Sequence, residues 1–218
     1  DSPELPRVLA GVADAYLVKG DLAAAAGVVQ EALAAAERKG DALDLVPAHY
    51  LVGMRLLHQG DFSQALQHFE HSVKLYNPSE HGSLGYAMGI DRGVNAHAWA
   101  TACHLSLGHP DRALARSEEA VALAKRVDHP LSLANALMCD AVVHIQNGDL
   151  DRTRERAGEL VGLSERLGFP LYLGIGKVFR GWARVESGDG EAGIAEMQQA
   201  MGELAAIESG LGAPGILY

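Results

Sequence analysis

His97, His104, Asp140 and His144 are the residues whose types and spacing come nearest to chemistry. His97 and His104 stand seven apart in one apolar stretch, and Asp140 and His144 four apart in the next. On helices each pair shares a face. His104 and His144 are forty residues apart, so a forty-residue repeat stacks them in the same register. Imidazoles and a carboxylate brought together in this way could hold zinc and support a metal-dependent enzyme built on the His/Asp cluster. The same positions also fit the inner core of a repeat, where polar side chains satisfy one another. The register sets Arg180 beside Asp140, which predicts a buried charge pair between adjacent repeats. His68 and His71 flank Phe69 on different sides of one helix and read as solvated rim residues. Glu118, Glu119, Asp149 and Asp151 read as exposed faces and caps. No serine or cysteine sits in an elbow motif, and no GxxxxGK[ST] loop is present. The chain therefore reads as no enzyme, with no metal and no cofactor expected.

The elements that must carry these side chains are set by one recurring punctuation. It occurs as KGDLAAA (19–25), QGDFSQA (59–65), LGHPDRA (107–113), NGDLDRT (147–153) and SGDGEAG (187–193). The glycines Gly20, Gly60, Gly108, Gly148 and Gly188 are spaced by 40, 48, 40 and 40 residues. Each glycine ends a helix where φ must be positive. The Asp after Gly20, Gly60, Gly148 and Gly188 then caps the next helix, and Pro110-Asp111 takes that place in the third unit. Apolar residues at three- and four-residue spacing flank each turn, as in Ala65, Leu66, Phe69 and Val73. Ten helices, each roughly 25 Å long, follow from this pattern. No single pair can bury its stripe alone, so the pairs must stack. The expectation is one all-α right-handed superhelix over 1–218, with repeats at about 4–40, 41–78, 90–128, 130–168 and 170–209.

Helix pairs are expected to meet at small residues, with Gly53 facing Ala65 and Phe69 one turn on, and Ala25, Ala113 and Gly181 continuing the series. This pattern resembles the tetratricopeptide repeat, lengthened beyond its 34 residues by turns such as VDHPLS (127–132) and LGFPLY (167–172). The longer version is similar to the C-terminal repeat region of bacterial signalling proteins. In these, a class III nucleotide cyclase or another output domain precedes a STAND-type ATPase and then the repeats. The likeness rests on HFEHSVKLYNPSEH (68–81), GIDRGV (89–94), GHPDRALARSEEAVALAK (108–125), HPLSLANAL (129–137) and GFPLYLGIGKVFRGWA (168–183). The family often has Asp where this chain has Asn77. The resemblance implies a sensor or scaffold module that regulates a cyclase, ATPase or transcription domain.

In this repeat type the first helix of each pair lines the inside of the superhelix, at thirteen, ten and six residues before the turn glycine. Those positions hold Pro47, Tyr50 and Met54; Asn95, Ala98 and Ala102; Asn135, Met138 and Val142; and Ile175, Val178 and Trp182. The predicted groove is apolar, with Tyr50, Met54, Asn95, Asn135, Met138 and Trp182 as binding residues. The two asparagines, offering donor and acceptor, could clamp a peptide backbone. The eight-residue excess between Gly60 and Gly108 falls at Asn77 to Ile90, read as an irregular loop with His81 and Tyr86 as candidate contacts.

With 18 basic and 28 acidic residues the formal charge is −10, which disfavours nucleic acid and anionic lipid as direct partners. No apolar run nears the ~20 residues of a membrane span. No signal peptide is expected, and Cys103 and Cys139 fit buried thiols in a reducing, cytoplasmic setting. Asp1 and the Leu217-Tyr218 end suggest a segment of a longer protein. The expected partner is a protein or peptide, including another domain of the same protein. The rival readings are a small-molecule sensor with an apolar concave channel, and the metal-dependent enzyme above.

Overall fold

The structure, a computed structural model, describes residues 2–87 and 89–207. Eleven α-helices and no strand occur among them. They are α1 (Leu5–Val18), α2 (Leu22–Lys39), α3 (Ala42–His58), α4 (Phe62–Leu75), α5 (Pro78–Ala87), α6 (Arg92–Ser106), α7 (Pro110–Val127), α8 (Pro130–Gln146), α9 (Leu150–Leu167), α10 (Pro170–Glu186) and α11 (Gly190–Ala206). Ten of them form five antiparallel pairs: α1/α2, α3/α4, α6/α7, α8/α9 and α10/α11. The chain is an all-helical solenoid.

The local grammar works as the residue types require. All five turn glycines have positive φ, between 68° and 92°, a region that costs side-chain-bearing residues energy. Asp21, Asp61 and Asp149 each accept a hydrogen bond from the amide three residues on, at 2.9, 3.1 and 3.1 Å. Asp189 departs from this pattern. It makes no side-chain cap and instead accepts from the Arg184 guanidinium at 2.7 Å, because a cation one turn back outcompetes a backbone amide.

The segment expected to be an irregular loop is largely helical. Pro78 has no amide hydrogen and cannot continue α4, so that helix stops after fourteen residues where α7 and α9 run for eighteen. Asn77 then starts α5: its Oδ1 accepts from the Ser79 amide at 3.1 Å, and its Nδ2 donates to Glu80 at 3.0 Å. An Asn at this position is thus a helix cap.

Within pairs, small residues let the backbones close up. A Cβ on Gly53 would lie 2.6 Å from Phe69 Cε1, so Phe69 itself, fully buried, occupies that space. At the other end a Cβ on Gly181 would lie 2.8 Å from the Gly193 carbonyl oxygen. Between pairs, the first helices (α1, α3, α6, α8, α10) touch one another in succession and form the inner layer. The second helices (α2, α4, α7, α9, α11) lie farther apart on the outside. The core is continuous, since Trp99 packs against both the cluster around Leu51 and Phe69 and the cluster around Leu137 and Leu160. Among the described residues no helix is long and apolar enough to cross a membrane.

Candidate binding surfaces

The inner layer carries a ladder of polar and aromatic side chains that crosses all five of its helices. The Arg92 guanidinium of α6 donates to Asp14 of α1 at 2.7 Å and lies 4.7 Å above the Tyr50 ring of α3. Asn95 Nδ2 donates to the Tyr50 hydroxyl at 3.4 Å, and Asn135 Nδ2 of α8 donates to Asn95 Oδ1 at 3.1 Å. The Tyr172 hydroxyl of α10 donates to Asn135 Oδ1 at 3.5 Å. Asn95 and Asn135 are only 3% and 2% exposed. Their forty-residue spacing thus joins them side to side, and each amide is held by the ladder. Burial raises the pKa of Tyr50 and of Tyr172, so both hydroxyls stay protonated donors.

The six residues predicted to face the groove therefore divide into two sets. Tyr50, Asn95, Asn135 and Met138 are buried, whereas Met54 and Trp182 are partly exposed. The partly exposed set extends to Ala102 and Val142. These four all stand six residues before their turn glycine and form one row along the inner layer. The ladder members Asp14, Arg92 and Tyr172 were not singled out in the sequence. A signal for two of them exists: sixteen residues before the turn glycine stand Asp44, Arg92, Ser132 and Tyr172, a polar row at the starts of successive inner helices.

The His/Asp cluster is dispersed. Asp140 lies fully buried and accepts from Arg156 Nε at 2.6 Å and from Ser117 Oγ at 2.5 Å, with His144 Nε2 3.7 Å away. The expected Asp140–Arg180 pair does not form, because Arg180 donates to Glu196 at 2.7 Å. The reason is the hairpin. In an antiparallel pair, residues equally distant from the turn face each other, here eight before and eight after the glycine. Asp140 meets Arg156 by this rule and Arg180 meets Glu196, with the charges reversed. His97 goes with Arg116 at 3.3 Å, and His104 Nε2 lies 3.9 Å from Glu70. Burial, aided by the Arg116 and Arg126 charges, pulls the His97 pKa down to about 4. Among the described residues no group of three or more His, Cys, Asp or Glu is arranged to hold a metal. Burial pushes the Cys103 and Cys139 thiols up to about 12, so neither is a thiolate at neutral pH.

His68 and His71 are not merely rim residues. They gather with His49, whose Nδ1 lies 3.1 Å from His68 Nδ1 and whose ring stacks on His71 at 5.1 Å. Burial, followed by the charges of those two neighbours, lowers the His49 pKa to about 4. His81 sits in α5, buried against the Tyr76 ring at 5.2 Å, with Nδ1 2.9 Å from the Asn77 carbonyl. Tyr86 is in the same helix, and its side chain lies outside the described residues.

Space for a ligand is unequally shared. Between α6 and α8 the inner layer leaves about 30 Å3 beside Trp99, Met138 and Val142. An open cleft of about 690 Å3 instead separates α4 from α7 on the outside.

Residues 4–77 match the family model of the tetratricopeptide repeat. No curated protein sequence matches the chain. Among solved structures, BtubC (BKLC) from P. vanneervenii is similar at 21% identity and TM-score 0.69, covering 89% of this chain and 78% of its own. Nearly identical TPR-like repeats of a Podosopora anserina protein described as a kinesin light chain superpose at TM-score 0.66 and 15% identity, covering 95% and 99%. At these identities the likeness establishes the fold, a TPR-like solenoid.

Proposed function

We propose that this chain is a non-catalytic module that binds a protein or peptide along its inner layer and thereby regulates an attached or partner signalling domain. The observation that carries this reading is the row of Met54, Ala102, Val142 and Trp182, partly exposed in one register position on successive inner helices. Met and Trp supply adaptable apolar contact area. The buried Tyr50–Asn95–Asn135–Tyr172 ladder behind the row locks the inner helices together, so the row is presented on a rigid support, which lowers the entropic cost of binding. A repeating row suits an elongated partner. A small-molecule channel fits less well between α6 and α8, where the cavity is about 30 Å3 and ligand sites take roughly 300–1,000 Å3. The signalling context rests on the resemblance of segments such as HPLSLANAL (129–137) to the repeat regions of cyclase- and STAND-ATPase-linked proteins.

The test is affinity capture from lysate with the intact chain as bait. It is followed by binding measurements on the captured polypeptide with Met54→Ala plus Trp182→Ala and with the outer-surface control Glu118→Ala. Binding should fall at least tenfold in the inner-row double variant and stay unchanged in the control. Equal weakening in both would eliminate the inner-layer site.

A further inference from the structure

The outer cleft between α4 and α7 is lined by Lys74, Arg112 and Arg116 together with Glu70 and Glu119. At its centre one cation holds both carboxylates: Arg116 donates to both oxygens of Glu70, at 2.6 and 2.8 Å, and to Glu119 at 2.7 Å. Lys74 near the end of α4 and Arg112 near the start of α7 line the cleft, and neither has an acidic partner among the described residues. The lining thus holds three cations against two carboxylates, a local positive excess in a chain of net charge −10. At the base lies His104, only 6% exposed, whose buried Nδ1 has no hydrogen-bond partner. The other ring nitrogen, Nε2, lies 3.9 Å from Glu70 of the cleft lining. Leu66 and Ala115 give the walls an apolar component.

We propose that this cleft is a second binding site, distinct from the inner layer, which takes an extended acidic peptide segment with carboxylates at Lys74 and Arg112. The helices α4 and α7 are equivalent members of successive pairs and run side by side. Arg112 matches position 64 of α4 by the 48-residue offset of the turn glycines, ten residues before Lys74. At 1.5 Å of rise per residue the two cations stand ~15 Å apart along the cleft. An extended peptide covers that length in about four to five residues. The recognised segment therefore carries two acidic residues four or five positions apart. Small or aliphatic residues between them rest on Leu66 and Ala115, and a central backbone group faces His104. Glu70 and Glu119, held by Arg116, do not repel it as free carboxylates would.

The experiment uses the intact chain and three fluorescent nine-residue peptides, read by anisotropy. One has glutamates five apart around an Ala-Leu-rich centre, one replaces both by glutamine, and one sets the two glutamates adjacent. The first should bind most tightly, with affinity falling as salt rises. Lys74→Glu with Arg112→Glu should weaken it at least tenfold, and His104→Ala several-fold. Arg152→Glu, at an exposed position of α9, should change nothing. Trp182→Ala should also leave it unchanged, which separates failure of this site from failure of the inner-layer reading. Any of three results would overturn the proposal: no binding of the spaced peptide at millimolar concentration, equal binding of the glutamine peptide, or full affinity in the double charge reversal.

Discussion

Polar groups inside the solenoid and the two cations at the ends of its outer cleft follow opposite rules. Inside, Asp140 is fully buried and meets Arg156 and Ser117, and Asn95 and Asn135 bond to each other between Tyr50 and Tyr172. Outside, Lys74 and Arg112 flank a cleft without a carboxylate partner among the described residues. The difference follows from solvent. A charge or amide removed from water must be matched by protein, whereas an exposed ammonium or guanidinium is matched by water until something better arrives. The inside polar groups therefore bear on stability, and Lys74 and Arg112 are available for binding.

The comparison is broken most severely at Asp140. Asp140→Ala removes a buried charge-assisted bond, although Arg156 keeps Glu159 at 2.9 Å, and should cost about 3 kcal/mol in urea denaturation. Adding Arg156→Leu should recover part of that loss, and adding Arg180→Leu should recover none. Recovery by Arg180→Leu alone would mean that the pairing runs between repeats after all.

A smaller effect is expected in the ladder. Asn95→Ala strands Asn135 Nδ2 and should cost about 1–3 kcal/mol. The double variant Asn95→Ala with Asn135→Ala should lose less than the sum, because the two share one bond. Lys74→Ala and Arg112→Ala should each stay within about 0.5 kcal/mol of the parent chain. Similar losses inside and outside would dissolve the distinction.

His49 and His97 are partly buried and fall between these extremes. In the folded chain both have pKa values near 4, against 6.5 for the free group. The unfolded chain then takes up protons first as pH falls. Their contribution is fully present above pH 6.5, declines between 6.5 and 4, and falls no further below that. A loss of about 1–2 kcal/mol over this window is expected, discounted for partial solvent access. A thermal-melt series from pH 7 to 4 checks it, and His49→Gln should flatten the decline. An unchanged slope in that variant would show that His49 is not the group responsible.

What could be read without coordinates was local. A glycine with an aspartate after it specifies a positive φ and a cap within a few residues, and three of the four aspartates cap as expected. Asp189 does not, because Arg184 reaches it first. The eight extra residues after Asn77 were visible as an excess, yet their helical state was not. A short Gly-containing segment has little intrinsic helix propensity, and the Asn77 cap with the buried packing of His81 stabilises it. The histidines show the same limit. His68 and His71 look exposed along their own helix, and only the approach of α3 brings His49 between them.

The sequence by itself determined the solenoid, because turn glycines, caps and the small residues Gly53 and Gly181 act over one turn or one hairpin. It also determined that Asn95 and Asn135 occupy equivalent positions, since equivalence is a matter of counting. Only the tertiary structure decided what those positions do. Register fixes the direction of a side chain, but the distance between successive inner helices decides whether it meets water, a ligand or its own counterpart. Here the inner helices pack closely enough for the asparagines to reach each other at 3.1 Å. The outer helices diverge, and that divergence leaves Lys74, Arg112 and His104 around an open cleft.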